Sequence, residues 1–174
     1  GQNSVTFSTT MKLGSHAGMF DGTDDYVDCG DVNAVDWGSG SFSYSAWIKP
    51  PNSNRRGVIM GKRNETIQGW GIANNDSFNW ATGKRLTFII YQDGSNYRGG
   101  YTTNGVADGN WHHVVWVANA STDAMTIYVD GVSVPVTMDN VAGTWPNLVS
   151  TGVLNIGRDP DNGFYYKDQL DDLG

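Results

Sequence analysis

Between Ser41 and Pro50 apolar and polar residues alternate. Phe42, Tyr44, Ala46 and Ile48 fall on one side, and Ser41, Ser43, Ser45, Trp47 and Lys49 on the other. A period of two is the signature of a strand that buries one face. Pro50–Pro51 ends it, because proline has no N–H to offer a neighbouring strand. Gly57–Lys62 and Trp70–Ala73 are short apolar runs of strand length. Arg85–Gln92 is apolar on both sides, Leu86, Phe88 and Ile90 against Thr87, Ile89 and Tyr91, which predicts a strand central in its sheet. Asp93–Gly94 and Asp130–Gly131 are hairpin dipeptides, leading into Tyr97–Thr102 and Val132–Val136. Trp111–Ala118, Thr126–Asp130, Leu154–Arg158 and Tyr166–Leu173 supply the remaining strands. No segment sustains a helical period. Many short strands separated by turn signals predict an all-β chain of two packed antiparallel sheets.

The chain has 174 residues, with 23 Gly, 12% aromatic and only 17% charged residues. That length buries roughly 70% of the unfolded surface, so neither disulfide nor metal is required for folding. No repeat, low-complexity tract or linker interrupts it, which predicts a single domain over residues 1–174. The formal charge is −7. The densest basic stretch is Arg55–Arg56 with Lys62–Arg63, followed by Glu65, and is expected to be a solvated hairpin edge; a nucleic-acid partner is not expected. No apolar run approaches 18 residues, so membrane insertion is not expected either. Gly1 to Lys12 is polar and carries no signal peptide, and the chain is expected to be excised from a longer protein, cut near its last strand. Cys29, without a partner for a disulfide, is expected to be a small buried hydrophobe.

Several segments resemble one family in order. Met11–Lys12–Leu13–Gly14 followed by Ala17–Gly18–Met19–Phe20–Asp21–Gly22 and Asp25–Tyr26–Val27 is similar to its opening stretch. Phe42–Ile48 with Lys49–Pro50, Trp111–His112–His113–Val114, Ile127–Tyr128–Val129–Asp130–Gly131, Ile156–Gly157–Arg158 and Leu170–Asp171–Asp172 resemble its later strands. The family is that of laminin-G-like jelly-roll domains in the concanavalin A-like lectin/glucanase superfamily. The resemblance implies a jelly-roll β-sandwich, an extracellular or surface location, a carbohydrate or protein ligand, and other domains in a parent protein. It also implies a structural calcium held by Asp21, the Gly22 carbonyl and Asp171. Two departures stand out. Asp168 occupies a position where the family usually has glycine, and the family continues with further strand beyond the Asp171–Asp172 pair.

The residues support part of this chemistry on their own. Calcium takes six to eight hard oxygens, and Asp21, Asp24, Asp25, Asp28 and Asp31 crowd one stretch. A rival acidic loop, Asp159–Pro160–Asp161–Asn162–Gly163, is one residue short of an EF-hand start and lacks its glutamate, so it reads as a turn. Glycoside hydrolysis needs two facing carboxyl groups. Of 18 acidic residues only Glu65 is a glutamate, and no strand carries acids at i and i+2 in the superfamily's catalytic pattern; the chain is expected not to be an enzyme. His112 and His113 must diverge on a strand, so they form no shared metal site. Sugars stack their C–H faces on aromatic rings and bond polar side chains. Trp80, Tyr97, Tyr101, Trp145 and Tyr165, in turn-rich stretches near Asn79, Asn96 and Asn147, are the candidate ligand contacts. Phe20, Phe42, Tyr44, Phe88, Trp116 and Tyr128 are expected in the core. The triplets beginning at Asn64, Asn75 and Asn119 are taken as chance sequons in an Asn- and Ser-rich chain. A non-catalytic binding module is the leading expectation, followed by a structural or assembly domain of a multidomain surface or viral protein, then a divergent glycoside hydrolase or lyase.

Overall fold

In the computed structural model, which describes residues 4–64, 68–74, 83–93, 95–140, 144–159 and 163–174, the strands form two antiparallel sheets. In chain order they are β1 (Thr6–Ser8), β2 (Ala17–Asp21), β3 (Val27–Asp28), β4 (Phe42–Lys49), β5 (Gly57–Arg63), β6 (Gly69–Asn74), β7 (Leu86–Asp93), β8 (Asn96–Thr102), β9 (His112–Asn119), β10 (Ala124–Val129), β11 (Val132–Val134), β12 (Val136–Asn140), β13 (Val153–Ile156) and β14 (Lys167–Asp171). The first sheet runs β1-β2-β14-β4-β9-β10-β11 and the second β12-β8-β7-β6-β5-β13-β3. The expected sandwich is what forms.

The core is the sum of the inward halves of these alternations. Phe42, Tyr44, Ala46 and Ile48 of β4 meet Trp70 and Ile72 of β6 and Leu86, Phe88 and Ile90 of β7. Trp70, Trp116 and Tyr166 are the bulkiest fully buried side chains, each stabilising the fold by roughly 1.5–3 kcal/mol or more through area removed from water. Trp37 stacks on Phe42 with ring centroids 3.9 Å apart and closes one end. Tyr128 departs from expectation: it pairs with Val115 on the outer face of the first sheet and is 36% exposed. Cys29 is also exposed. It follows the two-residue β3, whose edge has no further strand to cover it among the described residues.

The basic stretch is not a solvated edge throughout. Lys62 is fully buried. Its Nζ lies 2.8 Å from both Asp31 and Asp36 and donates to the Val32 carbonyl at 3.1 Å. Lys62 shares its register with Trp70 and Leu154, on the inward face, so its ammonium emerges at the end of the sandwich beneath residues 31–36. Asp36 also accepts from the Ser150 amide at 3.2 Å. A buried ammonium survives only with this degree of pairing.

Candidate ligand face and acidic rim

The outer face of the second sheet is built from three rows of residues in register. The middle row crosses all seven strands: Asp28, Asn155, Gly61, Gly71, Ile89, Gly99 and Asp139. Three of its positions are glycine, and Asn155, Gly61, Gly71, Ile89 and Gly99 are all buried, so the accessible groups are those of the flanking rows. One flanking row is Arg63, Gly69, Tyr91 and Tyr97; the other is Val58, Ala73, Thr87, Tyr101 and Thr137. The alternation along each strand produces this, because successive rows are two positions apart on a strand, except on β5, where the irregularity between Val58 and Met60 makes the step from Val58 to Gly61 three.

Aromatic and charged groups flank this buried row. The Tyr91 and Tyr97 rings lie 5.5 Å apart at 49°. Burial pushes the Tyr91 hydroxyl up to about 12, with the Arg63 charge pulling against it. Tyr97 is raised by burial and by the charge and hydrogen bond of Asp139. Both phenols are therefore neutral hydroxyls at ordinary pH. Arg63 Nη2 donates to Asp159 at 2.9 Å, the two side chains being 10% and 3% exposed. This pair sits with Val58, Gly61, Gly71 and Ile89 around a pocket of about 10 Å³, room for one water. At the other end, the Arg85 guanidinium covers the Tyr101 ring at 5.1 Å. Tyr165 bridges to Val58 and faces Tyr26 at 6.3 Å, itself under the Arg158 guanidinium at 4.5 Å.

Of the aromatics singled out in sequence, Tyr97, Tyr101 and Tyr165 thus share this sheet face. Trp145 does not join them; it is half-buried against the core. Trp80 lies outside the described residues. Tyr91, Arg63, Asp159 and the glycine row were not among the candidate ligand contacts. Tyr91 sits in a run that is apolar on both faces, which hides its outward direction. The Arg63–Asp159 pair joins residues 96 positions apart, which no local pattern shows.

The acidic rim is at the end of β2. Lys167 pairs with Asp21, so the opening and closing strands do lie side by side. That register leaves Asp171 four residues further along β14, about 13 Å away. Its Oδ2 instead accepts from the Lys12 and Leu13 amides at 2.8 and 2.9 Å, anchoring the β1–β2 loop. The Gly22 carbonyl accepts from the Arg55 guanidinium. Asp21, Asp24 and Asp25 come together instead, with ligand oxygens all within 4.8 Å of one another. Oxygens 2.3–2.6 Å from one calcium ion span at most about 5 Å, so the set has the right size and hardness. Asp21 Oδ1 accepts from the Thr23 and Asp24 amides, and Asp25 Oδ2 from the Asp21 amide at 2.9 Å. The Thr23 amide leads the groups that hold the Asp21 carboxyl below its ordinary value. The three acids border a cleft of about 720 Å³ that also takes in Lys167 and Asp168.

Asp168 has φ = 93°, in the left-handed region where a Cβ is disfavoured. This explains why glycine is usual at the position. Burial also raises its carboxyl above the ordinary value. Asp168→Gly is expected to stabilise the fold by about 1 kcal/mol, read as a higher urea midpoint with an unchanged slope.

Comparison with known proteins accords with this architecture. No curated protein sequence matches the chain. Among solved structures, the mouse laminin alpha1 chain domains LG4-5 align at 14% identity and TM-score 0.62, covering 90% of this chain and 40% of that one. The CBM40 of the Ruminococcus gnavus IT-sialidase aligns at 8% identity and TM-score 0.63, covering 86% and 88%. A botulinum neurotoxin type C structure, a protein whose cell entry depends on two ganglioside molecules, aligns at 18% identity and TM-score 0.64, covering 99% and 41%. The chain spans about two fifths of the laminin and toxin structures it matches. At these identities the likeness is one of fold. A laminin G family model matches residues 21–174, and with the ordered motifs and the two seven-stranded sheets it shows that the chain belongs to the concanavalin A-like lectin/glucanases superfamily.

Proposed function

We propose that this is a non-catalytic carbohydrate-recognition module that takes its ligand on the outer face of the second sheet. The observation that supports this most is that Tyr91, Tyr97 and Tyr101, each partly exposed, share one sheet face. Their phenols supply stacking area with a hydroxyl at the tip, and Asp139, which bonds Tyr97, borders them. The CBM40 and toxin likenesses, proteins that are themselves a carbohydrate-binding module and a ganglioside-dependent toxin, support the same ligand class. A location outside the cell or on a surface, within a larger protein, follows from this reading. Among the described residues no helix is long and apolar enough to cross a membrane.

Turnover has no support in the geometry, because the acids of this face are engaged. Asp159 holds Arg63, Asp139 bonds Tyr97, and Asp28 accepts from the Gly30 amide at 2.9 Å. Incubation with a polysaccharide panel is expected to give retention on some members and no release of reducing ends or unsaturated products. Product release would overturn the reading.

Calcium belongs to the same proposal, with its side-chain ligands moved from Asp171 to Asp24 and Asp25 beside Asp21. When bound there it would offset two of the three crowded carboxylate charges and fix the turn after β2. A ligand selective for the native state raises stability by about 2.7 kcal/mol at a hundredfold excess over Kd. The melting temperature is accordingly expected to rise by several degrees from chelator to millimolar calcium, and the rise to vanish in Asp21→Asn. No shift in the unsubstituted protein would refute the site.

A further inference from the structure

A second cavity, of about 230 Å³, lies between the β8–β9 loop and the β10–β11 hairpin, with Gly105 and Val106 on one wall and Val129, Val134 and Pro135 on the other. One side of it is joined without charge: the Thr103 amide donates to the Pro135 carbonyl at 2.8 Å. The other side is joined by His112. Its Nδ1 lies 2.8 Å from Asp130 of the hairpin turn and its Nε2 lies 3.1 Å from Asp108 of the loop. The imidazole is 17% exposed.

Only the doubly protonated ring satisfies both carboxylates. A neutral imidazole carries one N–H and turns a lone pair toward the second carboxylate. Both carboxylates are fixed from behind and cannot follow the proton away: Asp130 accepts from the His113 amide at 2.9 Å, and Asp108 from the Asn110 amide at 2.8 Å. We propose that His112 is a protonation-controlled clasp over this cavity, tying loop to hairpin as the imidazolium and releasing one of them as the neutral ring.

The surrounding charges agree. Burial works against the imidazolium, but the hydrogen bonds and charges of Asp130 and Asp108 outweigh it and hold His112 above its ordinary 6.5. Asp108 is brought down to about 2, against its own burial, by Asn110 and His112. Asp130 is likewise lowered, against its own burial, by the hydrogen bond to His112 and the His113 amide. For a group raised on folding, the contribution is complete below about pH 6.5 and disappears as pH climbs through the raised value. The clasp is thus closed in mild acid and opens toward alkaline pH. This role is independent of the proposed sugar face, which lies on the other side of the second sheet.

The test is an NMR titration of the histidine ring C–H signals, with amide exchange protection factors for residues 104–110 measured across the same pH range. His112 is expected to titrate above 6.5, to fall back toward 6.5 in Asp108→Asn, and protection at 104–110 to drop at least fivefold as the ring deprotonates. In His112→Gln, which keeps a polar side chain without titrating, that pH dependence is expected to vanish. A wild-type ring that titrates at or below 6.5 would overturn the clasp. So would protection factors that ignore pH, or a His112→Gln protein that keeps the wild-type pH dependence.

Discussion

Lys62→Ala is expected to lower stability by about 3–5 kcal/mol, the cost of leaving buried charge without its partner. For a chain of this length that corresponds to a melting temperature lower by very roughly 6–20 °C. Lys62 is fully buried and Asp36 is 13% exposed, so water cannot replace the lost ammonium at Asp36. Asp31, 46% exposed, can rehydrate and is expected to contribute the smaller part. Asp31→Asn should therefore cost much less than Asp36→Asn. The loss should also be local as well as global. Residues 31–36 and Ser150 meet through Asp36, so amide exchange there should accelerate first in Lys62→Ala. A chemical denaturation series measures the magnitude; equal effects for the two aspartate variants would show that the ion cluster is screened by solvent after all.

The second large effect is expected from Gly69→Ala, about 3–5 kcal/mol by the same measurement. A Cβ built on Gly69 would lie 1.9 Å from the Lys62 carbonyl oxygen, and φ is +142°, a region open almost only to glycine. Backbone cannot yield as a flexible side chain can. Gly152 presses on the same stretch from the other side, its virtual Cβ 2.1 Å from the Arg63 carbonyl oxygen. The two glycines hold the end of β5 from both flanks, and that end carries Lys62 inward and Arg63 outward. Gly69→Ala should thus disturb the ligand face and the ion cluster together, whereas Gly131→Ala, with open space around it, should cost only the strain of its positive φ.

The sandwich was legible because β4 writes its faces with period two, short apolar runs mark β5 and β6, and Asp130–Gly131 marks its hairpin. The faces of β7 could not be assigned, because both are apolar; Leu86, Phe88 and Ile90 turn inward and Tyr91 outward. What else could not be read was register between distant strands. The closing strand pairs with β2 as the motifs suggest, yet Lys167, not Asp171, stands opposite Asp21. That offset leaves the Asp171 carboxylate accepting from the Lys12 and Leu13 amides. Lys62 and Arg63 illustrate a second limit. Adjacent charges on a strand point to opposite faces, and whether either is solvated depends on acids 26–31 and 96 residues away. The glycine row is visible only once β5, β6, β7 and β8 are aligned. Each glycine alone in the sequence reads as a weak strand position.

The most direct test is a glycan array probed with the unsubstituted protein, Tyr97→Ala, Tyr101→Ala and, from the outer face of the other sheet, Tyr128→Ala. The outcome predicted is a defined set of glycan signals that falls at least tenfold in the first two variants and persists in Tyr128→Ala, with all four proteins showing the same strand-dominated circular dichroism. Signals retained in Tyr97→Ala and Tyr101→Ala but lost in Tyr128→Ala would place recognition on the wrong sheet, and an empty array would contradict carbohydrate recognition itself.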